Sequence, residues 1–411
     1  MRGRLQARRR GSRGQRVFRR RLPGTCGHGH DLSHDDAHLS AWRRIARRPC
    51  FHADGRRRLG PVAYRPANSW RTRRTTHMSA VYMDAITSPD AWIGAELGAR
   101  RDWMEAFTDD ELEEIERALR AAQARGLELP QVDRETFPLP RVAAKLERCA
   151  REIERGRGFA VLTGFPAERY TDEEAGMVFW GLGAYLGMAV MQNPRGELLG
   201  HVKDYGRQFG KIDVRGYETN AHLPFHSDGC DEVGLMCLRR AKSGGASSIV
   251  SALTLHNEIR RRHPEYLAPL YRGFHYIRRE AALSDAPVTP HRVPVFGQVD
   301  GLVSCRYVRA QIEAGAAKLG QPLAALEVEA LDCLDELARD PRLHLDMDLN
   351  PGDIQLCNNY TMLHSRTDFE DWPEPGRERH MLRLWLTCRE RRRLPPDFPQ
   401  LNGYGLARLP S

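Results

Sequence analysis

Apolar positions along this chain change their spacing part-way through. Between about residue 100 and residue 186 they recur mainly at helical intervals. Thr108-Asp109-Asp110-Glu111 is a capping box that opens an amphipathic helix to about Ala124, with Gly126 as its stop. A second helix is predicted from about Pro140 to Glu154, ending at Gly156 and Gly158. Phe159-Ala160-Val161-Leu162-Thr163 then reads as a buried strand closed by Gly164 and Pro166. Thr171-Asp172-Glu173-Glu174 is another capping box, opening a helix to about Leu186. After Gly187 short strands take over, interrupted by helices near Leu255–His263 and Leu323–Ala338. Leu343–Leu349 alternates polar and apolar, Pro351-Gly352-Asp353 turns the chain, and Ile354–Cys357 returns. Met381–Thr387 is the last strong strand. Helices early and strands late predict an α+β fold, an antiparallel barrel or two-sheet sandwich with helices outside. There is no internal repeat, no G-x-G-x-x-G after a strand and no phosphate loop.

Composition changes this picture at one end. Residues 1–77 carry 21 Arg, no Lys and four Asp, whereas the rest of the chain has 42 basic and 50 acidic residues. The net charge of +9 therefore belongs to the leader, and the remaining body is mildly acidic. Runs such as Arg8-Arg9-Arg10 and Arg56-Arg57-Arg58 repel one another and show no helical or strand period. A nucleic-acid-binding arm, a transit peptide and a non-native extension before a start at Met78 or Met83 compete for this segment. The last is preferred. Cys26, His28, His30, His34 and His38 fall inside it, but no apolar residues fix their geometry, so a metal tract there is not expected.

The expected organisation is a leader over 1–77, an N-terminal helical segment over 78–157, the main domain over 158–395 and a tail over 396–411. Nine cysteines, an odd number with no C-x-x-C pair, suit a reducing cytoplasm better than a disulfide framework. No apolar run reaches the roughly 18–20 residues of a membrane span.

Candidate chemistry centres on His226-Ser227-Asp228. A histidine and a carboxylate two apart on extended chain project from one face. H-x-D alone is uninformative, because it also occurs at His34/Asp36, His52/Asp54 and His344/Asp346. The first two lie in the leader. The last sits in an alternating stretch whose polar residues are expected to face solvent. The third interrupts the run from Leu223 to Leu238 as a polar break beside an apolar strand, with Gly229 and Gly234 allowing close approach. Adding one distant histidine, His364, completes the facial triad of a non-haem Fe(II) centre, with three positions left open. On the final strand Arg379 and Arg383 share a face, roughly 13 Å apart by strand rise. Two guanidiniums beside Met381 and Trp385 are costly unless each meets an anion, either a structural carboxylate or a bound acid.

Taken together and in order, these elements resemble the taurine/2,4-dichlorophenoxyacetate dioxygenase (TauD/TfdA-like) family of Fe(II)/2-oxoglutarate oxygenases. The likeness runs from about Gly158 to Arg389 and includes Gly244-Gly245-Ala246-Ser247. It implies a double-stranded β-helix (jelly roll) core with flanking helices. It also implies His226, Asp228 and His364 as iron ligands, and Arg379 with the Ser247 hydroxyl on the distal carboxylate of 2-oxoglutarate. Arg383 matches the position that faces an anionic substrate group in taurine-type members, and His222, Phe225 and Gln192 are further pocket candidates. The implied reaction uses Fe(II), 2-oxoglutarate and O2, and hydroxylates or desaturates a small organic molecule with release of succinate and CO2. Halogenating relatives lack the carboxylate that Asp228 supplies. The acidic, Pro-rich insert Asp368–Gly376 departs from the family pattern.

Two other readings use the same residues: a jelly-roll binding protein without activity, and a zinc hydrolase. The expected partner is a small molecule rather than nucleic acid or membrane, and self-association into a homo-oligomer is left open.

Overall fold

A computed structural model describes residues 80–193, 195–208, 214–278, 287–388 and 392–398. The Arg-rich leader, its Cys/His tract and the tail beyond residue 398 lie outside the described residues. Among the described residues, no helix is long and apolar enough to cross a membrane.

The core is built from two sheets. The larger contains β1 (Met104–Ala106), β2 (Phe159–Thr163), β3 (Gly187–Ala189), β4 (Leu199–Val202), β6 (Glu232–Arg239), β12 (Ile354–Asn358) and β15 (His380–Cys388). Its order is β1-β2-β12-β6-β15-β3, with β4 also paired to β15. The smaller contains β5 (Leu223–His226), β8 (Ser247–Ser251), β11 (His344–Met347) and β13 (Met362–Arg366), in the order β11-β8-β13-β5. Short pairs join β7 (Ser243–Gly244) to β14 (Phe369–Glu370), and β9 (Phe296–Val299) to β10 (Leu302–Cys305). All these pairings are antiparallel except β1 with β2.

Alternation along the strands sorts side chains into three apolar layers. On β15, Leu382, Leu384 and Leu386 turn outward under helices α2 (Asp109–Ala124), α3 (Val142–Arg155) and α4 (Asp172–Leu186). Met381 and Trp385 turn inward, where they meet Ile249, Met347 and Met362 from the smaller sheet. The outer face of the smaller sheet, through Phe225, Val250 and Leu363, packs on α5 (Ala252–Arg262), α6 (Leu267–Arg272) and α8 (Ala325–Ala338). Fully buried side chains such as Ile115, Leu119 and Phe159 each contribute about 1.5–3 kcal/mol of transfer free energy. The inward faces leave a gap lined by residues of both sheets, and the site lies there.

Local signals explain most boundaries. Both capping boxes form: Thr108 Oγ1 accepts from Glu111 N at 3.3 Å while Thr108 N donates to the Glu111 carboxylate at 2.8 Å, and Thr171 with Glu174 does the same. The chain from residue 80 to 157 is not purely helical, since β1 within it extends the larger sheet. Three further helices were not expected, α1 (Gly94–Gly98), α6 and α7 (Arg309–Leu319). Helix α7 buries only Ile312 and Gly315, so its sequence carries almost no apolar stripe. The alternating stretch at β11 turns Leu345 and Met347 inward and leaves the Asp346 side chain 64% exposed. Its neighbour His344 is largely covered instead, packing on the Phe225 ring.

Candidate active site

Strand register brings the distant histidine to the H-x-D. His364 on β13 stands directly opposite His226 on β5, and the two rings lie 4.3 Å apart. Strand β5 ends at His226, and the chain then turns so that Asp228 completes the group. His226 Nε2 lies 3.8 Å from Asp228 Oδ1, and His364 Nε2 lies 3.7 Å from Asp228 Oδ2. Ligand atoms from all three fall within 4.8 Å of one another, and no other such group of His, Cys, Asp and Glu occurs among the described residues. The His344/Asp346 pair stands apart from it, as expected.

The donor set suits a metal ion. His226 Nδ1 is 2.8 Å from the Pro224 carbonyl, which can only accept, so Nδ1 carries the proton and Nε2 the lone pair. Burial pushes both imidazoles below their usual pKa range, His364 to about 3, which keeps them neutral near pH 7. Burial acts to raise the Asp228 pKa, but the Arg383 guanidinium and the Trp385 N–H oppose it, and the carboxyl stays well below its usual range. Two neutral nitrogens and one carboxylate facing a common point fit a divalent first-row metal.

Around this group lies a cleft of about 780 Å3, a volume that includes space open to solvent. Arg366, Arg379 and Arg383 line it, together with Gly245, Ser247, Tyr217, Leu223 and Met381. Each of the three arginines is buried. The Gly244-Gly245 turn lets Arg379 enter. Both glycines take positive φ, and a Cβ on Gly245 would sit 2.9 Å from Arg379 Nε. Ser247 lines the same cleft, but its hydroxyl is 3.0 Å from Gln355 Oε1 and so donates there.

The other pocket candidates are placed differently. Phe225 precedes His226 on β5, so alternation turns it away from the cleft into the outer core. His222 is exposed and does not line the cleft. Gln192 is buried behind Arg383. Its Oε1 accepts from Arg383 Nε at 2.8 Å and its Nε2 donates to the Arg383 carbonyl at 2.7 Å. It therefore positions the arginine rather than lining the cleft.

A scan against protein-family models matches residues 123–385 to the taurine catabolism dioxygenase TauD, TfdA family. The chain belongs to this family. It is therefore a 2-oxoglutarate-dependent dioxygenase, an oxidoreductase using Fe(II), 2-oxoglutarate and O2, which sets aside the readings as a binding protein or a zinc hydrolase. FR-33289 synthase of Streptomyces rubellomurinus is 33% identical over 78% of this chain and 96% of its own length. Taurine hydroxylase-like protein SAT17 of Stachybotrys chartarum is 30% identical over 78% of this chain and 85% of that protein. Among solved structures, asparagine oxygenase in complex with Fe(II), 3-hydroxyasparagine and succinate superposes with a TM-score of 0.56 at 16% identity, covering 69% of this chain and 93% of that one. The non-haem iron oxygenase OrfP with Fe and alpha-ketoglutaric acid gives a TM-score of 0.52 at 14% identity, covering 69% and 94%. These two likenesses carry the fold: a TauD-type jelly roll with flanking helices.

Several supports of this TauD-family site were not singled out by sequence reasoning. Arg306 Nη1 donates to the carbonyls of Ser227 and Asp228 at 2.8 and 3.2 Å, tying down the chain between the two candidate ligands. Asn359 Oδ1 accepts from Asp228 N at 2.9 Å. Trp385 Nε1 donates to Asp228 Oδ2 at 2.8 Å, and Tyr217 stacks on the Arg383 guanidinium at 4.4 Å. Only Trp385 carried a signal in the sequence, through its place on the face shared with Arg379 and Arg383. The others come from segments remote in the chain.

Proposed function

We propose that His226, Asp228 and His364 hold Fe(II), that Arg379 binds the distal carboxylate of 2-oxoglutarate, and that Arg383 faces an anionic group of a small organic substrate. The observation that carries this reading is the convergence of two neutral imidazoles and one carboxylate in a cleft whose lining includes three buried arginines. Bound Fe(II) supplies O2 activation, coupling oxidative decarboxylation of 2-oxoglutarate to succinate and CO2 with hydroxylation of a substrate C–H bond.

The protein's part is positional. The Pro224 carbonyl fixes the His226 tautomer, and Arg306 and Asn359 set the path of the chain that carries Asp228. Trp385 and Arg383 keep Asp228 ionised. Arg383 itself is held by Gln192 and stacked between Tyr217 and Trp385, so its charge meets substrate in one orientation.

An anionic substrate is also supported by the activity for which a relative is named. That relative is a uridine-5'-phosphate dioxygenase of an Amycolatopsis species, 28% identical over 45% of this chain. All seven described cysteines are unpaired, which supports a reducing cytoplasmic setting.

The test is succinate release under O2 with Fe(II) and ascorbate, across a panel of small sulfonates, phosphates, carboxylates and amino acids. Substrate-stimulated succinate confined to anionic members supports the reading. Stimulation by neutral members alone refutes the role of Arg383.

A further inference from the structure

Among the described residues, three guanidiniums lining the cleft have a nitrogen without a hydrogen-bond partner, but Arg239, with Nε left over, is ion-paired to Asp172, whereas Arg379 and Arg366 each leave Nη1 over and have no such pair. Arg366 is two residues beyond His364 on β13, so alternation places it on the same inward face. Both residues are 6% exposed. The other nitrogens of Arg366 are occupied: Nη2 donates to the Ala221 carbonyl, and Nε to the Thr367 carbonyl at 3.3 Å. These bonds fix the plane of the group and leave Nη1 over.

Both guanidiniums lie on one ring, 4.8 Å (Arg366) and 5.1 Å (Arg379) from the Phe369 centroid. The two cations are therefore within about 10 Å of each other. Among the described residues, neither has a carboxylate at ion-pair distance. Arg383 differs, since Gln192 accepts from its Nε at 2.8 Å and Asp228 lies 3.5 Å from its Nη1.

Two neighbouring buried cations with unmet donors are costly, and water satisfies the donors without offsetting the repulsion. One carboxylate between them does both, because its two oxygens offer about four acceptor sites. We propose that Arg366 is a second guanidinium for the far carboxylate of 2-oxoglutarate, reaching it from β13 while Arg379 reaches it from β15. The proposal rests on the reading of Arg379 given above and adds a residue to it.

The experiment is an anaerobic titration of the Fe(II)-loaded full chain with 2-oxoglutarate and with 2-oxobutyrate, which lacks the far carboxylate. Binding is read from the visible absorption of the iron–keto acid complex, in the unsubstituted protein and in Arg366→Gln and Arg366→Lys. Arg366→Gln is expected to weaken 2-oxoglutarate by about 10- to 100-fold, the loss of one charge-assisted contact, and to leave 2-oxobutyrate within about 2-fold. Arg366→Lys, which keeps a cation, should recover part of the loss. It is also the variant to read if the glutamine variant fails to fold. Equal weakening of both keto acids would show a structural role and overturn the proposal. Unchanged binding of both, with a raised KM for substrate, would assign Arg366 to the substrate instead and overturn it as well. If the unsubstituted protein gives no absorption with either keto acid, the underlying reading of the site fails and takes this proposal with it.

Discussion

Trp385→Phe isolates one hydrogen bond to the candidate iron carboxylate. The indole N–H is 2.8 Å from Asp228 Oδ2, the same oxygen that lies 3.7 Å from His364 Nε2. Once the N–H is gone, the remaining side-chain donor to that oxygen is Arg383 Nη1 at 3.5 Å, too far for a strong bond. A hydrogen bond to a charged acceptor is worth about 1.5–3 kcal/mol, which is about 10- to 150-fold in an equilibrium constant. Loss of a group that orients a metal ligand costs a similar 10- to 100-fold. Phenylalanine keeps the ring inside the inner core but not its full volume, so Tm of the metal-free protein should fall as well. The two effects separate: Fe(II) affinity by anaerobic equilibrium dialysis, stability by thermal unfolding without metal. An Fe(II) Kd within 3-fold of the unsubstituted protein would refute the argument that Trp385 orients Asp228.

Three further outcomes follow from the same geometry. Asp228→Ala should abolish stoichiometric Fe(II) binding and succinate release together, and persistence of either would show that the carboxylate is not a ligand. Gly245→Ala forces a side chain into φ +74° with its Cβ 2.9 Å from Arg379 Nε, and should raise KM for 2-oxoglutarate by about 5- to 30-fold. Gly126→Ala, at φ +64° with nothing within 4 Å, should leave that KM unchanged, which makes it the control for strain alone. Glu232 is buried, its Oε2 has no partner, and burial pushes its pKa from 4.5 to about 8. Between those two values the folded state binds more protons than the unfolded state, so stability falls as pH rises through that window. Urea unfolding at pH 5 and pH 8 should show a decline of about 1.4 kcal/mol per unit at most, flattened in Glu232→Gln, and identical slopes would contradict this.

The helices that cover the larger sheet were legible because their ends carry local chemistry. Thr108/Glu111 and Thr171/Glu174 cap within one turn, and that information lies in four consecutive residues. The metal candidates were legible for a different reason. His226 and Asp228 stand out as polar residues beside an apolar run, Arg379 and Arg383 recur at strand spacing, and His364 fits the family pattern as the distal histidine. Arg306 and Asn359 were not legible, because their roles arise from pairings of remote segments, whereas Arg366, two residues past His364 on one strand, was within reach of the alternation rule and was passed over. Arg306 reaches the 226–228 stretch across 78 and 79 positions, and Asn359 reaches it across 131. Phe225 and Gln192 were pocket candidates that the fold places elsewhere. Alternation on β5 turns Phe225 outward, and Gln192 is spent on the Arg383 backbone and side chain.

The central claim is that one metal ion binds between His226, Asp228 and His364. Crystals grown anaerobically with Fe(II) and 2-oxoglutarate, measured on both sides of the iron absorption edge, test it directly. The account predicts a single anomalous peak within about 2.3 Å of both Nε2 atoms and one Asp228 oxygen. A peak elsewhere, or none despite stoichiometric iron in the dissolved crystals, would contradict it.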